Sequence, residues 1–198
     1  MSSTTSMNLV GVGIAIVLIA AVIIGVLLWR AHLKRKFGPL PPVPDAGGRV
    51  LGAGLDLVHV PGLADQLAVA GSVFAQRAFT PRERREAARR ARRCGSRPAE
   101  HLAARWAAKE ALVKAWSAAA NAVAGRAVAP VLAPEAVDWR EIEVLTDRWG
   151  RPGLRLGGRV LDAVERSLGA GAGQASRWSA SLSHDGDWAA AIVLALAG

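Results

Sequence analysis

Residues 98–119 read PAEHLAARWAAKEALVKAWSAA, the clearest helical pattern C-terminal to residue 49. Pro98 suits the first turn of a helix, and the Ala, Leu, Lys and Glu that follow are strong helix formers. Glu110 and Lys114 lie one turn apart on a stripe that is otherwise mostly apolar. An acid and a base on such a stripe are expected to point inward as parts of a site. The alternative is an ordinary i,i+4 ion pair that stabilises the helix.

Shorter elements surround this helix. Residues 50–60 (VLGAGLDLVHV) alternate as a strand, with Gly52, Gly54, Asp56 and Val58 on one face. We predict a short helix over 63–73 and a helix from Pro81 to Gly95, capped by Thr80 with Glu83 three residues later. Further predictions are a strand over 139–146, a turn over 147–152, a returning strand over 154–156, a helix over 158–168, and a hairpin of 177–183 with 188–196. This order predicts an α+β domain with an antiparallel sheet packed on the long helix, over residues 50–198.

Single residues of this domain carry possible chemistry. Asp56 stands alone in an apolar strand, and a buried carboxylate is costly unless it is paired or metal-bound. Ser183-His184 ends a strand before a tight turn, where a histidine is more often a surface residue than a catalytic one. The sequence has no Gly-Lys-Ser/Thr phosphate loop, no His-Glu-x-x-His and no Cys-x-x-Cys, and its one cysteine, Cys94, rules out an intramolecular disulfide.

The N-terminal part has a different character. Residues 1–7 form an uncharged tail, and residues 8–29 contain no charged side chain. Twenty-two residues make about 33 Å of helix, enough to cross a bilayer core. A Pro- and Gly-rich linker over 30–49 follows, and it begins with four basic residues: Arg30, Lys34, Arg35 and Lys36. We therefore predict a membrane anchor over 8–29, and the positive-inside rule places the C-terminal domain on the cytoplasmic face of the plasma membrane. The alternatives are a cleavable signal peptide and a native start near Val50; the latter would leave the C-terminal domain free in the cytoplasm.

Net charge is +9, and nine arginines fall between residues 77 and 97. Such density favours an anionic partner, although a solvated helix face is an equally simple explanation. Nucleic acid is one possible partner, but this stretch offers no aromatic ring for stacking apart from Phe79 at its start.

The order of these motifs resembles the small, trimeric type of phosphopantetheinyl transferase, most closely the actinobacterial holo-acyl-carrier-protein synthases. The resemblance covers residues 50–197 and rests on Gly54-Leu55-Asp56, the Lys109-Glu110-Ala111 helix with Lys114, Gly150-Arg151-Pro152 and Ser183-His184. It implies transfer of the phosphopantetheine arm of coenzyme A to a serine of an acyl carrier protein, with release of adenosine 3′,5′-bisphosphate.

The resemblance also implies roles for residues. Asp56 and Glu110 would bind Mg²⁺, and Lys114 would contact the phosphate that is attacked, so these three are the catalytic set. Coenzyme A phosphates would be held by Arg105, Lys109 and His184. A homotrimer is implied, with each site shared between neighbours. The base that takes the serine proton stays open among Glu110, Lys114 and a metal-bound water, and the segment 118–134 has no clear counterpart. A non-catalytic scaffold that recruits carriers is the remaining alternative.

Overall fold

The computed structural model describes residues 48–198, which form an α+β domain built around one long helix. The helices are α1 (Val60–Ala68), α2 (Phe74–Ala78), α3 (Pro81–Cys94), α4 (Pro98–Ala124) and α5 (Gly158–Leu168). The strands are β1 (Val50–His59), β2 (Ile142–Thr146), β3 (Pro152–Leu156), β4 (Trp178–Asp185) and β5 (Trp188–Leu196). This order confirms the predicted α+β class, with an antiparallel sheet packed on a long helix.

The largest local differences from the predictions concern three elements. The predicted helix over 63–73 begins earlier, at Val60, because the His59 ring accepts a hydrogen bond from Gly62 N and caps it; it ends at Ala68, and α2 is a separate helix. Residues Trp139–Glu141 form a 3-10 turn rather than strand, since the Asp138 carboxylate accepts from Arg140 N. The long helix extends beyond residue 119 to Ala124, where Gly125 adopts a left-handed conformation.

The larger sheet has the antiparallel strand order β1-β5-β4, and α4 lies against one of its faces. The two glycines of β1 permit a very close approach: a Cβ on Gly52 would lie 2.4 Å from Ala115 O, and one on Gly54 would lie 2.0 Å from Ala111 O. The helix presents fully buried alanines at this contact. Strand and helix backbones therefore touch directly, and Asp56, two residues after Gly54, faces the same helix.

The opposite face of this sheet is exposed, and on β1 and β5 it is apolar. Leu55 and Leu57 are 64% and 56% exposed, and Ile192, which pairs with Leu55 across β1 and β5, is 41% exposed. Three adjacent exposed aliphatic side chains on a sheet are typical of a surface that another protein covers.

A second, two-stranded sheet of β2 and β3 lies beside α4, and α5 closes the core behind it. The indole of Trp116 on α4 donates to Ser167 Oγ on α5 at 2.7 Å. This hydrogen bond joins α5 to the C-terminal half of α4.

The predicted membrane span (residues 8–29), the tail before it and the linker up to residue 47 lie outside the described residues. Between residues 48 and 198, no helix is both long and apolar enough to cross a bilayer.

Candidate active site

Asp56 and Lys114 meet where β1 crosses α4. Lys114 Nζ lies 2.7 Å from Asp56 Oδ1 and donates a second hydrogen bond to Leu55 O at 3.2 Å. The second oxygen of the carboxylate, Asp56 Oδ2, is buried and has no hydrogen-bond partner among the described residues. A buried oxygen without a donor is costly, so this atom is suited to bind a ligand.

Glu110 completes the cluster predicted from the sequence. Burial and the neighbouring Asp56 carboxylate raise the pKa of Glu110 to about 7, while Lys114 acts in the opposite direction. Two carboxylates this close resist being charged together unless a cation joins them. The expectation that both helix residues point inward holds only in part, because Glu110 is half-buried while the Lys114 side chain is 54% exposed.

These two carboxylates fit a hard cation. Mg²⁺ is commonly held by one or two carboxylates, with waters and substrate phosphate oxygens filling the other positions. No group of three or more potential ligands occurs within residues 48–198, as a closed protein cage would need. Asp56 and Glu110, with the unpartnered Asp56 Oδ2, suit the open type of site.

A cavity of about 610 Å³ opens beside the N-terminal half of α4. Its walls come from α3, α4, the turn between β2 and β3, and the end of β4. Basic side chains dominate this lining: Arg89, Arg90, Arg93, Arg105 and Arg148, together with His101 and His184. Its two acids are already paired, since Glu86 bridges Arg89 and Arg90 and Asp147 bonds Arg151. The cavity therefore carries excess positive charge and is suited to phosphate groups.

Arg105 is the most deeply buried cation of this cavity, with 4% of its surface exposed. Its Nη1 donates to His101 O at 2.8 Å, while its Nε is buried without a partner among the described residues. Burial lowers the pKa of this guanidinium, opposed mainly by the charge of Glu83. An incompletely bonded arginine on a cavity wall is a favourable anion ligand. The structure thus brings Arg105 and His184 to one cavity.

Lys109 lies elsewhere. It is fully buried, and its amine donates to Ala78 O, Glu83 Oε2 and Trp139 O at 2.7–2.8 Å. Those three acceptors satisfy all three ammonium hydrogens, so no donor remains for a phosphate. This position does not fit the predicted role of Lys109 in binding coenzyme phosphates. Its observed contacts instead join α4 to α2, α3 and the turn before β2.

His101 belongs to the cavity, although sequence reasoning did not single it out. Its ring lies at the cavity wall, 5.9 Å from the His184 ring and nearly perpendicular to it. Its spacing in the sequence could have indicated this position, because His101 precedes Arg105 by one turn of the same helix.

The segment 118–134, whose role the sequence left open, begins as the last turns of α4, and its remainder, residues 125–134, packs back onto that helix. Val128 N donates to Asn121 Oδ1 at 2.9 Å, and the segment encloses a mainly apolar cavity of about 110 Å³ against Val113, Trp116 and Ala120. Covering the C-terminal half of α4 is therefore a structural role of this segment.

Comparison with known proteins identifies similar chains. Residues 52–193 match the description "4'-phosphopantetheinyl transferase superfamily". The holo-[acyl-carrier-protein] synthase of Corynebacterium efficiens is 48% identical over 143 residues, which cover 72% of this chain and 92% of that protein. The protein of the same name from Mycobacterium tuberculosis is 43% identical over 145 residues, covering 73% and 95%.

A solved structure described as the Chronobacterium ammoniagenes ACPS-CoA complex has the same fold. It is 44% identical in sequence, with a TM-score of 0.61, and the match covers 74% of this chain and 98% of that one. An apo structure from the same source is 46% identical with a TM-score of 0.58, covering 72% and 92%.

Proposed function

This chain belongs to the 4′-phosphopantetheinyl transferase superfamily, and we propose that Asp56, Glu110 and Lys114 form its transfer site while the basic cavity holds coenzyme phosphates. The enzyme transfers the 4′-phosphopantetheine arm of coenzyme A to a serine of an apo acyl carrier protein. The serine hydroxyl gives its proton to a general base as its oxygen bonds to the β-phosphorus. The bond from that phosphorus to the bridging oxygen breaks, and adenosine 3′,5′-bisphosphate leaves with the electron pair. The observation that carries the site assignment is the meeting of two carboxylates and an amine on β1 and α4.

Phosphoryl transfer needs positioning and neutralisation of charge more than covalent help. Asp56 and Glu110 would hold Mg²⁺, which when bound supplies positive charge to the phosphates. Lys114 contributes a second positive charge, and its half-exposed ammonium can turn from Asp56 toward a phosphate oxygen. Arg105 and His184 bind phosphates of the nucleotide half, while Lys109 acts through packing rather than contact.

The test is transfer by the full-length protein, given coenzyme A, Mg²⁺ and an apo carrier, with the carrier mass measured over time. Asp56→Asn and Glu110→Gln should each lose most of the rate while unfolding at the same temperature as the native chain. Asp162→Asn, an exposed carboxylate on α5, is the matched control and should keep the native rate. Near-native turnover by Asp56→Asn or Glu110→Gln would show that the carboxylates are assigned wrongly.

Mg²⁺ is tested separately by binding. Calorimetric titration of Mg²⁺ into the protein with adenosine 3′,5′-bisphosphate present should give a signal that Asp56→Asn abolishes. An unchanged titration would remove this carboxylate from the metal site.

We also propose that the open sheet face with Leu55, Leu57 and Ile192 is the subunit interface of a homotrimer. Burying exposed aliphatic area of this kind against a neighbouring subunit is favourable. The assignment of three subunits comes from the family resemblance.

Two further proposals concern partners. Residues 8–29 would anchor the enzyme to the membrane, with the basic residues of the linker on the cytoplasmic side. The outward face of α3 would meet the acidic carrier through three arginines, Arg82, Arg85 and Arg92, which are exposed and lie outside the cavity lining. Cell fractionation tests the first: enzyme wholly in the soluble fraction would contradict the anchor.

A further inference from the structure

His101 has an unusual position for a titratable side chain. It is 8% exposed, and its Nε2 lies 2.9 Å from Ser96 Oγ in the connection between α3 and α4. Its other ring nitrogen, Nδ1, has no hydrogen-bond partner among residues 48–198, and the ring forms part of the cavity wall. One nitrogen is thus held by the protein while the other is left for a ligand.

The Ser96 hydroxyl can form a hydrogen bond with this ring in either protonation state. A hydroxyl both donates and accepts, so it can donate to a neutral Nε2 and accept from a protonated one. A backbone carbonyl or a carboxylate in its place would fix Nε2 as a donor. The contact therefore leaves His101 able to gain a proton without losing its hydrogen bond.

The charged groups around His101 are mostly cationic. Burial lowers its pKa first, and Arg105 on its own helix, His184 on β4 and Arg90 on α3 lower it further. Glu100, the neighbouring residue on α4, acts in the opposite direction but is engaged by Arg97. Without an anion the ring is therefore neutral at pH 7. A phosphate dianion in the cavity would reverse the local field and favour the imidazolium.

We propose that His101 is a further phosphate-binding residue of this cavity, which takes up one proton from solvent as a phosphate monoester enters and donates Nδ1–H to a phosphate oxygen. This inference rests on the proposed function, because it requires coenzyme phosphates in the cavity. Proton uptake makes binding pH-dependent: between the pKa of free His101 and its higher pKa in the complex, affinity rises by up to about tenfold for each unit that pH falls.

Calorimetry of the full-length protein tests this directly. Adenosine 3′,5′-bisphosphate is titrated at pH 7 in several buffers of different ionisation enthalpy, and the dependence of the heat on that enthalpy gives the protons taken up. The native chain should take up as much as one proton more than His101→Gln. The variant should also bind about 10- to 100-fold more weakly, the range expected for losing one hydrogen bond to a charged group.

The control is His59→Gln, an exposed histidine outside the cavity, which should keep the native proton number. Equal uptake by the native chain and His101→Gln overturns the inference. If His101→Gln fails to fold, the His101 imidazole resonance of the native chain is titrated with and without ligand, and an unchanged pKa overturns it equally. Failure of the native chain to bind either the bisphosphate or coenzyme A would instead overturn the proposed function.

Discussion

Replacing Gly54 with alanine should damage both stability and catalysis, because this glycine sets the distance between β1 and α4. The added Cβ would lie 2.0 Å from Ala111 O and 2.6 Å from Ala115 N, whereas real contacts of this kind are essentially never shorter than 3.0 Å. Both atoms belong to a helix backbone, so no side chain can turn aside. The strand must move away by about 1 Å, and overpacking of this kind costs roughly 1–3 kcal/mol.

The same movement reaches the site. Asp56 lies two residues further along β1 and bonds Lys114 at 2.7 Å. A shift of about 1 Å would lengthen this contact beyond the range of a hydrogen bond. We expect Gly54→Ala to unfold roughly 2–12 °C below the native chain, by circular dichroism, and to lose transfer activity at temperatures where it is still folded.

Gly153→Ala is the matched control. Gly153 lies in β3 with no atom within 4 Å of an added Cβ and without a left-handed backbone, so it should keep native stability and activity. If Gly54→Ala unfolds and turns over like the native chain, the close approach of strand and helix does not position the site.

Three further predictions concern other parts of the chain. Lys109→Met should lower the free energy of unfolding, measured in urea, by about 3–5 kcal/mol, because it leaves the buried Glu83 carboxylate without its ion-pair partner. Adding Glu83→Gln should recover part of this loss. If the free-energy losses of the two single variants simply add in the double variant, the two side chains are not coupled. Replacing Arg82, Arg85 and Arg92 on the outward face of α3 with Glu should raise the KM for the carrier more than the KM for coenzyme A, and this difference should shrink at high salt. The control Arg166→Glu on α5 should leave both KM values unchanged. Equal, salt-independent increases in both KM values would refute carrier docking at these arginines. Leu57→Asp should shift the mass measured by light scattering from three chains toward one, and a native chain that is itself an active monomer would refute the trimer.

Helices, strands and turns were predicted well where neighbouring residues in the sequence carry a local signal, such as a helix cap, a turn residue or an alternating pattern. The Thr80–Glu83 capping box is present as expected, with the Thr80 hydroxyl accepting from Glu83 N. The hairpin of β4 and β5 turns at Gly186, and the alternation of β1 correctly separated the face with Asp56 from the face with Leu55. These features depend on a few adjacent residues, which the sequence displays directly.

Tertiary placement could not be predicted in the same way. Lys109 and Glu110 are neighbours, yet the helix turns them about 100° apart, so one enters the core and the other reaches the cluster with Asp56. Glu83 gave the signal of a helix cap, but its carboxylate also bonds Lys109 and Val144 N. Only the packing of α3, α4 and β2 reveals that these groups satisfy one another and are unavailable to a ligand.

Helix α4 limits where residues can be inserted into or deleted from this sequence. His101 and Arg105 at the basic cavity and Glu110 and Lys114 at the carboxylate cluster lie on one uninterrupted helix. A single inserted or deleted residue between Arg105 and Glu110 would turn one group about 100° relative to the other and shift it by 1.5 Å. Natural variants of this chain should therefore differ in length within the connection 125–134, and never between residues 101 and 114.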